Sequence, residues 1–327
     1  MGFCYDKWVQ VGKIGEERLL RLIQRVVRGR GHLLVGIGDD GLVLKDGRTV
    51  LTTDAYAQGV HFDLSYLSYY DVGRRCACAA LSDLVAMGAE PVVMLVALAL
   101  PRRTSTRAVQ ELYQGLEQVC AELNCEIGGG DIIAFDQLVL GLSALGKTRR
   151  PLLRSGAEPG DLVYVTGYTG LAETGRLLLV HKLSIRFKAC GGELAIERHR
   201  HPLPRLQVLQ RVRRGISALI DTSDGLGSDV RHLSQLSGVR VVIQAEKIPV
   251  HPVTRELCQV LDIDINKFVL SSGEDYELLF TSKRRLGSTV AGVPVNCIGW
   301  VEKGAGVEIE NQGRRSKLRI RGYDHLK

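Results

Sequence analysis

The sequence predicts an α/β (α+β) protein built as two domains, and three observations lead there. Apolar, strand-like runs alternate with segments of helical spacing in both halves of the chain. The stretch KTRRPLLRSGAEPG at 147–160 mixes charge, proline and glycine as linkers do. The length, 327 residues, suits two domains at roughly 100–200 residues each. The expected division is 1–148 and 149–327.

Taken in order, residues 14–28 carry Leu19, Leu20, Ile23, Val26 and Val27 at helical spacing. A glycine-rich loop, VGIGDDGLVL, follows. Residues 49–53 form a short expected strand leading into Asp54. Residues 71–87 read as a helix with a small-residue face (Ala77, Ala79, Ala80, Ala86), stopped by Gly88 before Pro91. The continuous apolar run at 92–100 predicts a buried strand. A helix at 106–123 comes next, then a turn at 126–130 presenting Asp131, then a strand at 138–146. In the second half, strands are expected at 162–166, 217–220, 239–244 and 278–281, and helices at 171–179 and 226–237.

Bulk properties narrow the function. No apolar run is long enough to span a bilayer, and MGFCYDKWVQ lacks the pattern of a secretory signal. None of the eight cysteines forms a CxxC pair, so reduced thiols and a cytoplasmic location are expected, with Cys76 and Cys78 packing in the core. The net charge of +7 is dispersed and has no aromatic ladder beside it. That pattern fits a basic surface attractive to nucleotides better than one binding nucleic acid.

Five clusters place a carboxylate beside glycine, serine or threonine: GIGDD (36–40), LTTD (51–54), LSD (81–83), GGGD (128–131) and DTSDG (221–225). Each alone is ordinary turn or cap chemistry. Their repetition across both halves exceeds what turns require. Carboxylate oxygens suit magnesium, and magnesium is what lets a triphosphate approach acidic residues. The chain has no GxxxxGK[ST], no protein-kinase motifs, and a glycine pattern that misses GxGxxG.

The order GIGDD, TTD, GVHFD, LSDLVAMGAEP, GGD, DTSDGL and GEDYELLF resembles the thiamine-monophosphate kinase family. That family belongs to the superfamily of aminoimidazole ribonucleotide synthetase and selenophosphate synthetase. The resemblance runs from about Gly12 to the terminal GYDH. It implies a two-domain aminoimidazole ribonucleotide synthetase-like fold, with an N-terminal dimerising α/β domain and a layered C-terminal α/β domain. It implies direct in-line transfer of the γ-phosphate of ATP to thiamine monophosphate, with no residue forming a phospho-enzyme. By the match, Asp39, Thr52, Thr53, Asp54, Asp83, Asp131, Asp221 and Asp224 would hold several Mg2+ ions. Tyr113, Gly130, Asp131, Arg154 and Ser223 would contact ATP. His61, Glu274 and Tyr323 would receive the acceptor, Glu274 by charge complementarity and Tyr323 by stacking. Asp40 would hold the loop, or an ion through water. A homodimer is implied, and neither nucleic acid nor membrane is an expected partner.

The sequence departs from the family pattern at Gly41, Ile132, Thr222, Ser271, Ser272 and Leu326, none of which removes a carboxylate. Two alternatives share the fold. One is another ATP-dependent synthetase of the superfamily, although Cys4 lacks the surrounding motif of a selenophosphate synthetase. The other is a nucleotide-binding homologue without transfer.

Overall fold

Two mixed sheets, each layered with helices, make up the structure, a computed structural model that describes residues 10–319 and Leu326. The first half contains α1 (Glu16–Val26), β1 (Leu33–Val35), β2 (Leu42–Leu44), β3 (Thr49–Ala57), α2 (Tyr69–Ala86), β4 (Glu90–Leu100), α3 (Thr106–Glu122), β5 (Glu126–Ala134) and β6 (Val139–Lys147). Its strands lie in the order β1-β2-β3-β6-β4-β5. Only the β4–β5 pair in this sheet is parallel.

Helix α2 begins where Ser68 and Asp71 exchange hydrogen bonds, Ser68 N–H donating to Asp71 at 2.9 Å and Asp71 N–H to Ser68 Oγ at 3.1 Å. This capping box satisfies donors that a helix start otherwise leaves open. Helices α2 and α3 cover one face of the sheet, packing on Val96, Leu98, Leu140 and Leu142. They cross at Gly73 and Gly115, so closely that a Cβ on either glycine would lie 2.1 Å from a carbonyl oxygen of the other helix. Cys76 and Cys78 are buried in this core, as expected.

The opposite face of the sheet is open. Along β4, buried and exposed residues alternate, with Leu95 48% exposed, so the expected buried strand is buried on one face only. Helices cover one side only, and a continuous apolar run does not distinguish the two cases. The glycine run before Asp131 is also no turn. It lies inside β5, paired in parallel with β4. Gly130 is needed because a Cβ there would sit 1.8 Å from the Val96 carbonyl oxygen.

The second half contains β7 (Leu162–Thr166), α4 (Leu171–Val180), α5 (Gly192–Arg200), α6 (Leu206–Val212), β8 (Ile216–Asp221), α7 (Leu226–Ser237), β9 (Arg240–Gln244), α8 (Pro252–Val260), α9 (Ile265–Ser271), β10 (Leu278–Ser282), β11 (Thr289–Val290), β12 (Val293–Glu302), β13 (Gly306–Asn311) and β14 (Arg314–Lys317). The sheet runs β14-β13-β9-β12-β7-β10-β8, with β11 on the side of β12. One face packs against α7 and α9 through Leu226, Val230, Leu233 and Val269. The other meets α6 and Val85 at the end of α2. That contact carries the first half onto the second and brings the end of α2 beside the end of β8.

Candidate active site

Asp40 closes the glycine loop, Asp83 lies in the last turn of α2, and Asp221 ends β8. A carboxylate oxygen from each lies within 4.8 Å of the others. Two halves of the chain thus supply one cluster. Hydroxyl groups fix its geometry: Thr52 Oγ1 donates to Asp83 Oδ2 at 2.7 Å, and Ser82 Oγ donates to Asp221 Oδ2 at 2.6 Å. Strand alternation turns Thr52 and Asp54 toward this cluster and Thr53 away from it. Tyr56, next on the same face, donates its hydroxyl to Asp54 at 2.8 Å.

The electrostatics are those of crowded, buried acids. Burial and then Asp40 raise Asp39 to about 6. Burial raises Asp83 well above the carboxylate range, with Asp54, Asp221 and Asp40 adding to the effect. Asp221 is pushed up to about 7, first by burial and then by Asp40. Asp54 rises mainly through burial. Against these acids stands one guanidinium. Arg154, from the linker, pairs with Asp40, and its backbone N–H lies 3.3 Å from Asp39. Its buried Nε has no partner among the described residues.

The donor set fits a hard divalent cation. The three converging carboxylates offer only oxygen ligands, and Asp40 Oδ2 and Asp221 Oδ1 are buried without hydrogen-bond partners among the described residues. Such atoms are costly to bury unless an ion or donor satisfies them.

The DTSDG loop is fastened to the loop before β10. Glu274 N–H donates to Ser223 O at 2.9 Å, Tyr276 N–H to Thr222 O at 3.0 Å, and Thr222 N–H to Glu277 O at 2.8 Å. Glu274 and Tyr276 hold left-handed backbone, with φ of 61° and 50°, a conformation non-glycine residues adopt only where the surroundings impose it. The acids of GEDYELLF divide their tasks. Glu274 pairs with the buried Arg75. Asp275 caps α4, accepting from Gly170 N–H at 2.6 Å and Ala172 N–H at 3.0 Å. Glu277 pairs with buried Arg205. His61 Nδ1 accepts from Ala57 N–H at 3.1 Å, which leaves the ring proton on Nε2.

Thr53, Asp131 and Tyr113, expected at the site, lie away from the cluster. The Thr53 hydroxyl lies on the open face, 2.9 Å from Ser143 Oγ. Asp131 is on the same face by register with Ala97, Gly141 and Ala55, but at the far edge of the sheet. Three strand spacings, on the order of 14 Å, separate it from β3. Tyr113 is half-buried on α3 against the core. Ser223 and Asp224 follow Asp221 in the fastened loop. Tyr323 lies outside the described residues.

Sequence reasoning gave Asp40 only a supporting part, yet it belongs to the cluster. It missed Arg75 and Asp229 altogether. The signal for Arg75 was an arginine pair inside an otherwise apolar, small-residue helix. For Asp229 the signal was a further aspartate in the helix that DTSDG opens.

Comparisons with known proteins identify the family and the fold. Residues 38–148 match the family model of the AIR synthase related protein, N-terminal domain. The thiamine-monophosphate kinase of Aquifex aeolicus is 32% identical over 97% of this chain and 100% of its own length. That of Bacillus subtilis is 30% identical over 90% of this chain and 94% of its own. Among solved structures, AaThiL complexed with AMPPCP and TMP superposes with a TM-score of 0.87 at 31% identity, covering 98% of this chain and all of that one. The hydrogenase maturation protein HypE of E. coli shares the fold alone, at 20% identity and a TM-score of 0.69 over 84% of this chain and 86% of its own. On this whole-length similarity, the chain belongs to the thiamine-monophosphate kinase family.

Proposed function

We propose that the cluster of Asp40, Asp83 and Asp221 is the phosphoryl-transfer centre of this kinase, where the γ-phosphate of ATP passes directly to thiamine monophosphate. The observation carrying this reading is the convergence of these three acids with Arg154 from separate segments of the chain. Magnesium fits the oxygen donors there. Asp39, Thr52, Asp54, Asp83 and Asp221 would hold it with Asp40, Asp224 would hold a further ion, and bound ions would neutralise phosphate charge. Thr53 and Asp131 lie on the other side of the sheet, so an ion that either holds would be separate from this one.

The chain's own residues bind and align. Arg154 offers its unpartnered Nε to a phosphate oxygen. Ser223, Tyr113 and Gly130 are assigned to ATP. His61 offers its Nε2 proton to the acceptor phosphate, and Glu274, braced by Arg75, faces the cationic thiamine. Tyr323 is assigned to the same ligand by sequence. The acceptor is itself a phosphate, largely ionised near neutral pH, so the transfer needs positioning more than a strong base. No protein nucleophile is required.

We assign ATP and magnesium binding and dimerisation to 1–148, and the second part of the site to 149–327. The open face of the first sheet exposes Leu95 and Ile133 at 48% and 55%. An uncovered apolar sheet face suits pairing with a second copy. No helix among the described residues is long and apolar enough to cross a membrane. The described cysteines are free thiols, which fits a cytoplasmic enzyme.

The test is to mix the protein with ATP, magnesium and thiamine monophosphate and quantify thiamine diphosphate. Stoichiometric product with ADP is expected. Free phosphate released without thiamine diphosphate would overturn the reading.

A further inference from the structure

Asp229 stands in the first turn of α7, 1% exposed. Neither of its carboxylate oxygens has a hydrogen-bond partner among the described residues. Neighbouring buried acids are treated differently. Asp221 accepts from Ser82, Asp275 from two backbone N–H groups, and Glu277 from Arg205. A carboxyl group shut away from water and from every donor is heavily penalised, and native folds keep one only where something satisfies it.

The charges around Asp229 identify the missing partner. Burial is the main influence on this carboxyl, followed by repulsion from Asp224 and then Asp221. Among the strongest influences on it Arg154 is the one cation, and it is already paired with Asp40. The α7 N-terminus favours negative charge in its first turn, but its N–H groups do not reach these oxygens. Carboxylates that repel one another around unpartnered oxygens call for a cation between them, and the oxygen-only donor set calls for a hard one.

We propose that Asp229 is a ligand, directly or through one water, of a divalent cation shared with Asp224 at the start of α7. This position is distinct from the one framed by Asp40, Asp83 and Asp221. It rests on the magnesium reading above and adds to it a residue outside the acidic motifs. Asp229 holds the DTSDG loop through the ion and does not touch the reacting phosphate.

The experiment counts Mn2+ bound per chain by electron paramagnetic resonance, with a non-hydrolysable ATP analogue present. Melting in EDTA serves as the control for folding. Asp229→Asn is expected to melt in EDTA at or above the parent temperature, because a buried charge conflict has been removed. It should bind one Mn2+ fewer, or bind one at least tenfold more weakly. Asp224→Asn should show the same loss, and the double variant no second one. A full Mn2+ complement at parental affinity in Asp229→Asn would overturn the proposal and leave Asp229 a protonated structural acid. Should Asp229→Asn fail to fold, the count is read on Asp229→Glu, which moves the oxygens while keeping the charge; unchanged affinity there overturns the proposal equally. Absence of Mn2+ binding by the parent would instead sink the magnesium reading itself.

Discussion

Arg75 Nη2 donates to Glu274 Oε2 at 2.8 Å, joining the middle of α2 to the loop before β10. The arginine side chain is 4% exposed and the glutamate 36%. The carboxylate is therefore gripped from behind and open in front. Sequence reading offered Glu274 for charge complementarity with thiamine; the structure adds a brace, Arg75, further anchored through the His199 carbonyl. Arg75→Lys keeps the charge but loses the fork of donors. It should raise KM for thiamine monophosphate roughly tenfold, equivalent to about 1.4 kcal/mol, and leave KM for ATP unchanged. Steady-state kinetics with each substrate varied will check this, and an unmoved acceptor KM would remove Glu274 from the acceptor site.

Asp83 receives the Thr52 hydroxyl and stands among three other acids. Asp83→Asn should reduce kcat/KM at least ~100-fold, since a charge-neutralising ion contributes several kcal/mol to such transfers. Chelation by EDTA should abolish turnover and added magnesium restore it. A variant within threefold of the parent would place the reaction elsewhere.

The acidic cluster also sets a pH dependence. Asp39 and Asp221 have folded values of about 6 and about 7, above the ordinary aspartate value. In ion-free protein the folded state therefore holds protons that the unfolded chain has released. Their contribution to stability is complete below pH ~4 and is lost as pH rises through 6 to 7. Thermal melting in EDTA should show Tm falling from pH 5 to pH 7.5. Saturating magnesium should oppose that fall, because ion binding displaces those protons. A Tm in EDTA that rises over this interval would contradict the crowding of the acids.

Gly73→Ala places a methyl group 2.1 Å from the Leu112 carbonyl oxygen. The helices must separate, at a cost of about 1–3 kcal/mol as for other overpacked sites. Denaturant unfolding should show this loss, whereas alanine at Gly59, where nothing lies within 4 Å, lacks that clash.

Charges on the open sheet face test the proposed pairing of two copies. Leu95→Glu combined with Ile133→Glu should convert a dimer to a monomer in light scattering at micromolar concentration. A variant with the parental mass would leave that face without a role in assembly.

Much of this was legible in the sequence. The limits of β7 and α7 were read directly, because each segment is bounded by turn residues and keeps a single period. The short helices α5, α6, α8 and α9 were not read, nor were strands β12 to β14. The helices are only seven to nine residues long, β13 and β14 carry charges along their length, and Pro294, Asn296 and Gly299 interrupt the apolar run of β12, so tertiary packing decides them. The glycines before Asp131 misled because glycine marks both turns and close strand pairing. The order of motifs pointed to the acids of the site. It could not say that Asp40 would lie with Asp83 and Asp221, because that proximity exists only after the ends of α2 and β8 meet.

That meeting has a consequence for how the chain matures. Asp40, Asp83 and Asp221 come from three segments that an unfolded chain holds far apart. An ion binding all three discriminates almost completely against incompletely assembled forms, and by mass action it draws the population toward the native one. At a hundred times its dissociation constant, such an ion adds about 2.7 kcal/mol. Magnesium present during refolding should therefore increase the yield of chains whose two halves have docked, independently of any turnover.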